Sequence, residues 1–311
     1  MPTPATKHAA LGLALLLASP SVLAAAYAPS AIVLTAFPPE LRTWQIAKHY
    51  PVRIRVPGLK APLACNARHV CVAITGEGEI NAALSVTSLV RDPALAVGHA
   101  LFIRSGIAGG VDAHEALGSV YVANDIVAWA FGHHYLSRQR RLAWAPSNPP
   151  FSGNHWETLS YRIAPALLAR ALRAAHSARL ANSRAVIRLD RAMGLATTPS
   201  VRVGANVSGD DFWIGRQNER IARQITAYYT HGRARYASTA MEDLGDIAAL
   251  HAFGLQNHYL SVRAVSDIDV PPPATTVHAI IDKGDEYAGA LAATNAMRVT
   301  KAIIARLVPL P

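Results

Sequence analysis

Short apolar runs alternate with longer amphipathic ones along this chain. AIVLTAF at 31–37 is continuous and apolar, the pattern of a strand buried on both faces. RHVCVAIT at 68–75 follows, and the alternation of Val70, Val72 and Ile74 predicts a second strand. In INAALSVTSLVRD at 80–92, Ile80, Ala83, Leu84 and Thr87 share one helical face. HALFIRSG and SVYVANDIVAW read as two further strands. Residues 159–182 read as one long Ala/Leu/Arg helix that tolerates Pro165 in its first turns. VIRLD at 186–190 fits a strand or a connection. AYYTHGRARYASTAM and HYLSVRAVS read as late strands flanking a helix at 242–252. A last helix is expected from Asp285 to Leu307, with Tyr287, Leu291 and Ile303 on its apolar face. There is no internal repeat, low-complexity segment or clean linker, so the expectation is one α/β domain over 25–311.

Composition supports a packed core: 51% of the 311 residues are hydrophobic and 16% charged, which excludes a disordered, collagen-like or coiled-coil chain. Thirty Lys and Arg against 20 Asp and Glu give a formal charge of +10. The excess is mostly scattered Arg, densest in RQRR at Arg138–Arg141. That scatter suits anionic ligands or an acidic surface, whereas a nucleic-acid binder concentrates its charge, so no nucleic-acid partner is expected. Residues 1–24 read as a cleavable secretory leader: Lys7, the apolar run ALGLALLLA at 10–18, then Val22-Leu23-Ala24. No later run is apolar over the ~18 residues a spanning helix needs. The expectation is a periplasmic or secreted protein.

Cys65 and Cys71 bracket NARHV, and a hairpin there would set the two sulfurs side by side. In an oxidising compartment they form a disulfide, and otherwise two buried thiols. Only His69 lies nearby, too little for zinc, and the His133-His134 pair has no acid or thiol at metal-ligand spacing. No metal and no cofactor are expected. TGEGEINAA at 75–83 joins a strand to a helix and SGIAGG at 105–110 follows the next strand. Glycines there allow close backbone approach to a ligand, although the spacing fits neither a phosphate-cradling loop nor a dinucleotide fingerprint.

TGEGEINAALSV, SGIAGG with LGSVYVANDIVAW, SGDDFWIG, STAMEDLGDIAAL and LSVRAVSDID stand here in the order seen in the purine nucleoside permease family. The chain resembles that family, an exported branch of the nucleoside phosphorylase and nucleosidase superfamily, from Ile32 to the final helix. The resemblance implies a single α/β domain with a central mixed, partly barrel-like sheet flanked by helices, and purine nucleosides as ligands. It also leaves open a homo-oligomer and a separate inner-membrane transporter as partners.

On that resemblance Asp267 is the acid that protonates the leaving purine, and Ser266 stands beside it. N-glycosidic cleavage needs such a proton donor, and burial keeps a carboxyl protonated. Asp269 is the alternative, read as a turn residue. Glu242 resembles the acid that binds the ribose hydroxyls, with Met241 along the sugar face, while Asp243 is expected to face solvent or cap a helix. Phe212 and Trp213 match the stretch that covers the base, and Asp210 shapes the turn there. Gly106 and Ala108 in SGIAGG are placed at the ligand. Glu40 in TAFPPEL aligns with the acid that positions attacking water in hydrolytic relatives. Arg104 stands where phosphorylases hold phosphate, so phosphate stays open as a second substrate, and a structural ion-pair partner is the other reading of this residue. Yet Ile107 replaces the hydroxyl residue of those enzymes, and TAFPPEL lacks their glycine loop. Leu244 and Asp246 occupy positions where nucleosidases prefer small residues, which points to a remodelled ribose edge. The segment 138–160 reads as a lid, a partner surface or a decorated loop. Two functions stand: an exported purine nucleosidase, and a non-catalytic nucleoside-binding component of uptake.

Overall fold

Every residue of the first strand, β1 (Ala31–Thr35), is buried, as its unbroken apolar run requires. The structure, a computed structural model, describes residues 26–111, 115–146, 158–270 and 288–308. The leader, the proline run after Asp269 and Tyr287 lie outside them. After β1 come α1 (Pro38–Arg42), α2 (Ile46–His49), β2 (Val52–Ile54), β3 (Leu63–Cys65), β4 (Val70–Ile74), α3 (Glu79–Arg91), β5 (Leu101–Gly110) and β6 (Val120–Ala128). A small hairpin, β7 (His133–Leu136) and β8 (Leu142–Ala145), precedes β9 (Ser160–Arg162), α4 (Pro165–Ala175), α5 (Arg184–Met193) and β10 (Val201–Ser208). The chain ends with α6 (Arg216–Tyr229), β11 (Tyr236–Ala240), α7 (Asp243–Ala252), β12 (Tyr259–Ile268) and α8 (Ala290–Leu307).

Five strands close on themselves. β5 pairs with β12, β12 with β6, β6 with β10, β10 with β11, and β11 returns to β5 through Ser238–Gly110 and Thr239–Gly109. From β5 the sheet continues outward through β1, β4, β3 and β2, and β9 adds to β6. The sheet is mixed, with parallel β1–β5 and β5–β12 pairs beside antiparallel β6–β12 and β5–β11 pairs. Helices α4 and α8 cover one flank, α6 another, and α3 packs on α7. This is the single α/β domain with a partly barrel-like mixed sheet that the resemblance implies.

Several sequence expectations are corrected. The single helix over 159–182 is β9 followed by α4, with Pro165 at the start of the helix where its missing N–H costs nothing. VIRLD lies inside α5, which Ser183 caps by accepting from the Val186 amide. The first three residues of AYYTHGRARYASTAM end α6, and only Tyr236–Ala240 is a strand. SGIAGG is not a loop after a strand: it is the second half of β5. The face of α3 marked by Ile80 and Leu84 is exposed, at 69% and 62%. Ala82, Ser85, Val86 and Leu89 are buried instead, because α3 lies close on α7, with Gly245 against the Glu79 backbone. β3 and β4 bring Cys65 opposite Cys71, and a disulfide joins them.

Candidate active site

The pocket opens where the barrel strands end. It encloses about 410 Å³, a size suited to a nucleoside-scale ligand. Glu40, Ala108, Phe212, Trp213, Met241, Glu242, Ser266 and Asp267, named from the sequence, all line it. Elements distant along the chain supply them: α1, β5, the β10–α6 connection, the β11–α7 junction and the end of β12.

Glu40 enters from α1, whose PPE start turns the chain back over β5. Its carboxylate is 2% exposed and accepts from the Ala36 amide at 2.6 Å and the Ile107 amide at 2.9 Å. Burial pushes this carboxyl up to about 7; Arg263 pulls against that, Glu242 adds to it, and the Ala36 amide pulls down. Gly106 does not line the pocket. It sits behind Glu40, and a side chain there would collide with Glu40 Oε1 and stand 2.7 Å from Arg263 Nη1. Glycine at 106 therefore leaves the room that both side chains occupy.

Glu242, 4% exposed, accepts from Arg263 Nη2 at 2.7 Å and from the Gly78 amide at 3.2 Å. Gly78 belongs to TGEGEINAA, so that loop serves the site by orienting Glu242. Each Glu242 oxygen keeps further acceptor capacity toward the pocket. On the far wall, the Ser266 hydroxyl lies 2.8 Å from Asp267 Oδ2 and 3.2 Å from the Ala108 carbonyl. The β12–β5 register shifts between Val265 and Asp267, an irregularity that re-aims the strand end. Gly109 faces it: a side chain there would collide with Asp269 Oδ1 and stand 3.3 Å from Asp267 Oδ1. Asp269 is 1% exposed rather than a surface turn residue. It accepts from the Tyr236 hydroxyl and, at 2.9 Å, from Thr239 Oγ1, and burial pushes its carboxyl well up, with Asp267 adding to the effect.

The aromatic pair divides its work. Trp213 stacks on Trp129 with ring centres 4.8 Å apart and on Tyr236 at 6.3 Å, while Phe212 is 53% exposed at the pocket mouth. Asp210 accepts from the Glu79 amide at 2.6 Å and ties its turn to the start of α3.

Of the two readings of Arg104, the structure shows the ion-pair partner. It is fully buried, and its Nε and Nη2 both bond Asp246 at 2.7 Å while Nη1 bonds Thr75 Oγ1 at 3.1 Å. Arg104 does not line the pocket, and Asp246 is occupied by this pair rather than by the ribose edge. Asp243 is also buried, not solvent-facing. It bonds Arg263 Nε at 2.9 Å and the Tyr259 hydroxyl at 3.0 Å. Burial pushes Asp243 up, but Arg263 and Ser261 together hold it below the usual carboxylate range. Among the described residues no three His, Cys, Asp or Glu side chains are grouped to hold a metal.

Arg263, which lines the pocket and links Glu242 to Asp243, was missed from the sequence. Its signal was the lone cation inside the strand-like run LSVRAVS, since a buried arginine demands carboxylate partners. Ile107 and Thr239 likewise line the pocket. Asp246→Ala is expected to lower unfolding free energy by about 3–5 kcal/mol, because it strands a buried guanidinium. Urea unfolding measures it, and a loss under about 1 kcal/mol, typical of an exposed pair, would mean Arg104 is not held as a structural cation.

The arrangement is a barrel-centred α/β fold with a buried Arg–carboxylate cluster on one wall and a carboxyl on the other. The same fold is found in the 5′-methylthioadenosine/S-adenosylhomocysteine nucleosidase of Neisseria meningitidis, solved with methylthio-immucillin-A. The TM-score is 0.59 at 19% identity, covering 89% of this chain and 98% of that one. A nucleosidase of the same description from Mycobacterium bovis is 24% identical over 204 residues, 65% of this chain and 71% of that protein. The purine nucleoside permease of Candida albicans is 26% identical over 281 residues, 82% of this chain and 68% of that protein. The family profile described as "Purine nucleoside permease (NUP)" matches residues 28–309. The chain belongs to the purine nucleoside permease family.

Proposed function

We propose that this protein hydrolyses purine nucleosides. The observation that carries the reading is the facing of Glu40, poised near neutrality beside Arg263 and Glu242, with Asp267 across one pocket. Glu242 accepts the ribose 2′- and 3′-hydroxyls and Met241 lies along the sugar, while Phe212 covers the base. As the C1′–N9 bond breaks, its electron pair leaves with the purine and Asp267 gives N7 a proton. Water, oriented by Glu40, bonds C1′ and passes a proton to Glu40. Proton exchange with solvent resets both acids, and the products are free base and ribose. Arg263 positions Glu242 and offsets the charge of both carboxylates.

Water is favoured over phosphate because Arg104 is committed to Asp246. The leader-like residues 1–24 favour action outside the cytoplasm, where the released base or sugar is available to a separate transporter. Among the described residues no helix is long and apolar enough to cross a membrane.

Calorimetric titration of Glu40→Gln protein with adenosine tests the pocket without turnover. Adding Glu242→Ala is expected to weaken binding ~10- to 100-fold, as two hydroxyls lose their acceptor. Unchanged affinity would place the nucleoside elsewhere.

A further inference from the structure

The Arg-rich segment RQRR takes no part in the pocket. It forms the tip of the β7–β8 hairpin, a two-stranded sheet separate from the barrel sheet. The tip is ordered by its own backbone: the Ser137 amide donates to the Arg141 carbonyl and the Arg140 amide to the Ser137 carbonyl, each at 2.8 Å. The Arg141 amide also reaches Ser137 Oγ at 3.2 Å. Arg138, Arg140 and Arg141 are exposed, and none makes an ion pair among the described residues. Residues 133–146 contain no acidic side chain.

Beside these cations the tip exposes Leu136 (68%) and Tyr135 (48%). The second strand of the hairpin, β8, is fixed against α6. The Leu142 amide donates to Gln217 at 2.7 Å, its carbonyl accepts from Arg220 at 2.9 Å, and Trp144 packs edge-on to Tyr228 and Tyr229. A rigid projection that spends no charge internally and leaves a large aliphatic side chain in water is built for contact.

We propose that this hairpin seats the protein on an anionic phospholipid surface, with Arg138, Arg140 and Arg141 at the headgroup phosphates. Leu136 and Tyr135 enter the boundary between headgroups and acyl chains. Arginine matches phosphate geometry, and a tyrosine with one wet end suits that boundary. An acidic protein partner accounts for the arginines but gives no reason for Leu136 to stand in water beside the outermost turn. Each arginine is worth roughly five-fold in partition to an anionic surface, so three give ~100-fold. The interaction weakens as salt shortens the screening length.

The test is co-sedimentation of the purified chain with vesicles of phosphatidylcholine, with and without phosphatidylglycerol. The readout is the extra binding that the anionic lipid brings. Arg138→Gln/Arg140→Gln/Arg141→Gln is expected to remove it almost entirely, and Leu136→Ser to reduce it several-fold even at high salt. A control, Arg184→Gln/Arg188→Gln/Arg191→Gln on α5, removes the same charge from another face and is expected to retain most of it. Matching thermal melts show that the exposed substitutions leave the fold intact. Three results overturn the proposal: no extra binding by the unaltered chain, equal losses in the two triple variants, or retention on polyglutamate but not on vesicles. The last would assign the hairpin to an acidic protein partner.

Discussion

Glu40→Gln is expected to keep adenosine affinity while slowing base release ~10²- to 10⁴-fold, the usual cost of losing a general base. The amide preserves the shape and accepts one of the two amide N–H groups, but it cannot take a proton from water. The unaltered protein should gain activity as pH rises through about 7, where Glu40 ionises, and the variant should lack that limb. The same shift has a stability consequence of defined sign. Its folded value is raised from 4.5 to about 7, so between those values the folded chain holds a proton the unfolded chain has lost. The Glu40 contribution to stability therefore falls as pH rises across that window and is level above it. Glu40→Gln should flatten this part of the pH–stability curve. A variant with unchanged rate and an unchanged acidic limb would remove Glu40 from the chemistry.

Asp267→Asn is expected to depress adenosine cleavage by a similar ~10²- to 10⁴-fold, since the amide has no transferable proton. A protonated carboxyl gives its proton to N7 and accepts from the exocyclic 6-amino group. Inosine presents a carbonyl there, and an amide donates to both N7 and that carbonyl. The adenosine-to-inosine preference should therefore shift ~10- to 100-fold toward inosine, the cost of a buried polar mismatch. Comparing kcat/KM for both nucleosides on both proteins measures it. Equal wild-type efficiencies, or loss of both activities at a constant ratio, would show that Asp267 does not read the six-position.

The strands that proved legible are those whose burial is nearly complete. AIVLT and VCVAI became β1 and β4 because every position but the half-buried Ile74 is buried. VRVGANVS did not announce β10: its first three residues are half-buried or exposed and only the last five are buried, so it shows neither alternation nor a continuous apolar run. Closure of the barrel between β11 and β5 is a long-range pairing that no local pattern encodes. The site acids were legible through ordered motifs. Asp243 was misread and Arg263 passed over because charge in a sequence reads as solvent-facing, while Arg104 and Asp246 were read toward the ligand because nothing local shows that they pair with each other. Only the folded arrangement reveals that each cation has its own carboxylate inside the protein. The Ile80 face misled in the opposite sense: apolar residues at helical spacing marked the outside of α3, while the face that packs inward carries Ala82, Ser85, Val86 and Leu89.

The most direct test of hydrolysis at this pocket is to incubate the purified protein with adenosine, with and without inorganic phosphate, and quantify adenine together with the sugar released. Hydrolysis by Glu40-oriented water predicts adenine and free ribose at the same rate in both conditions. Base release that requires phosphate and yields ribose 1-phosphate would contradict it, as would tight adenosine binding with no base released at all.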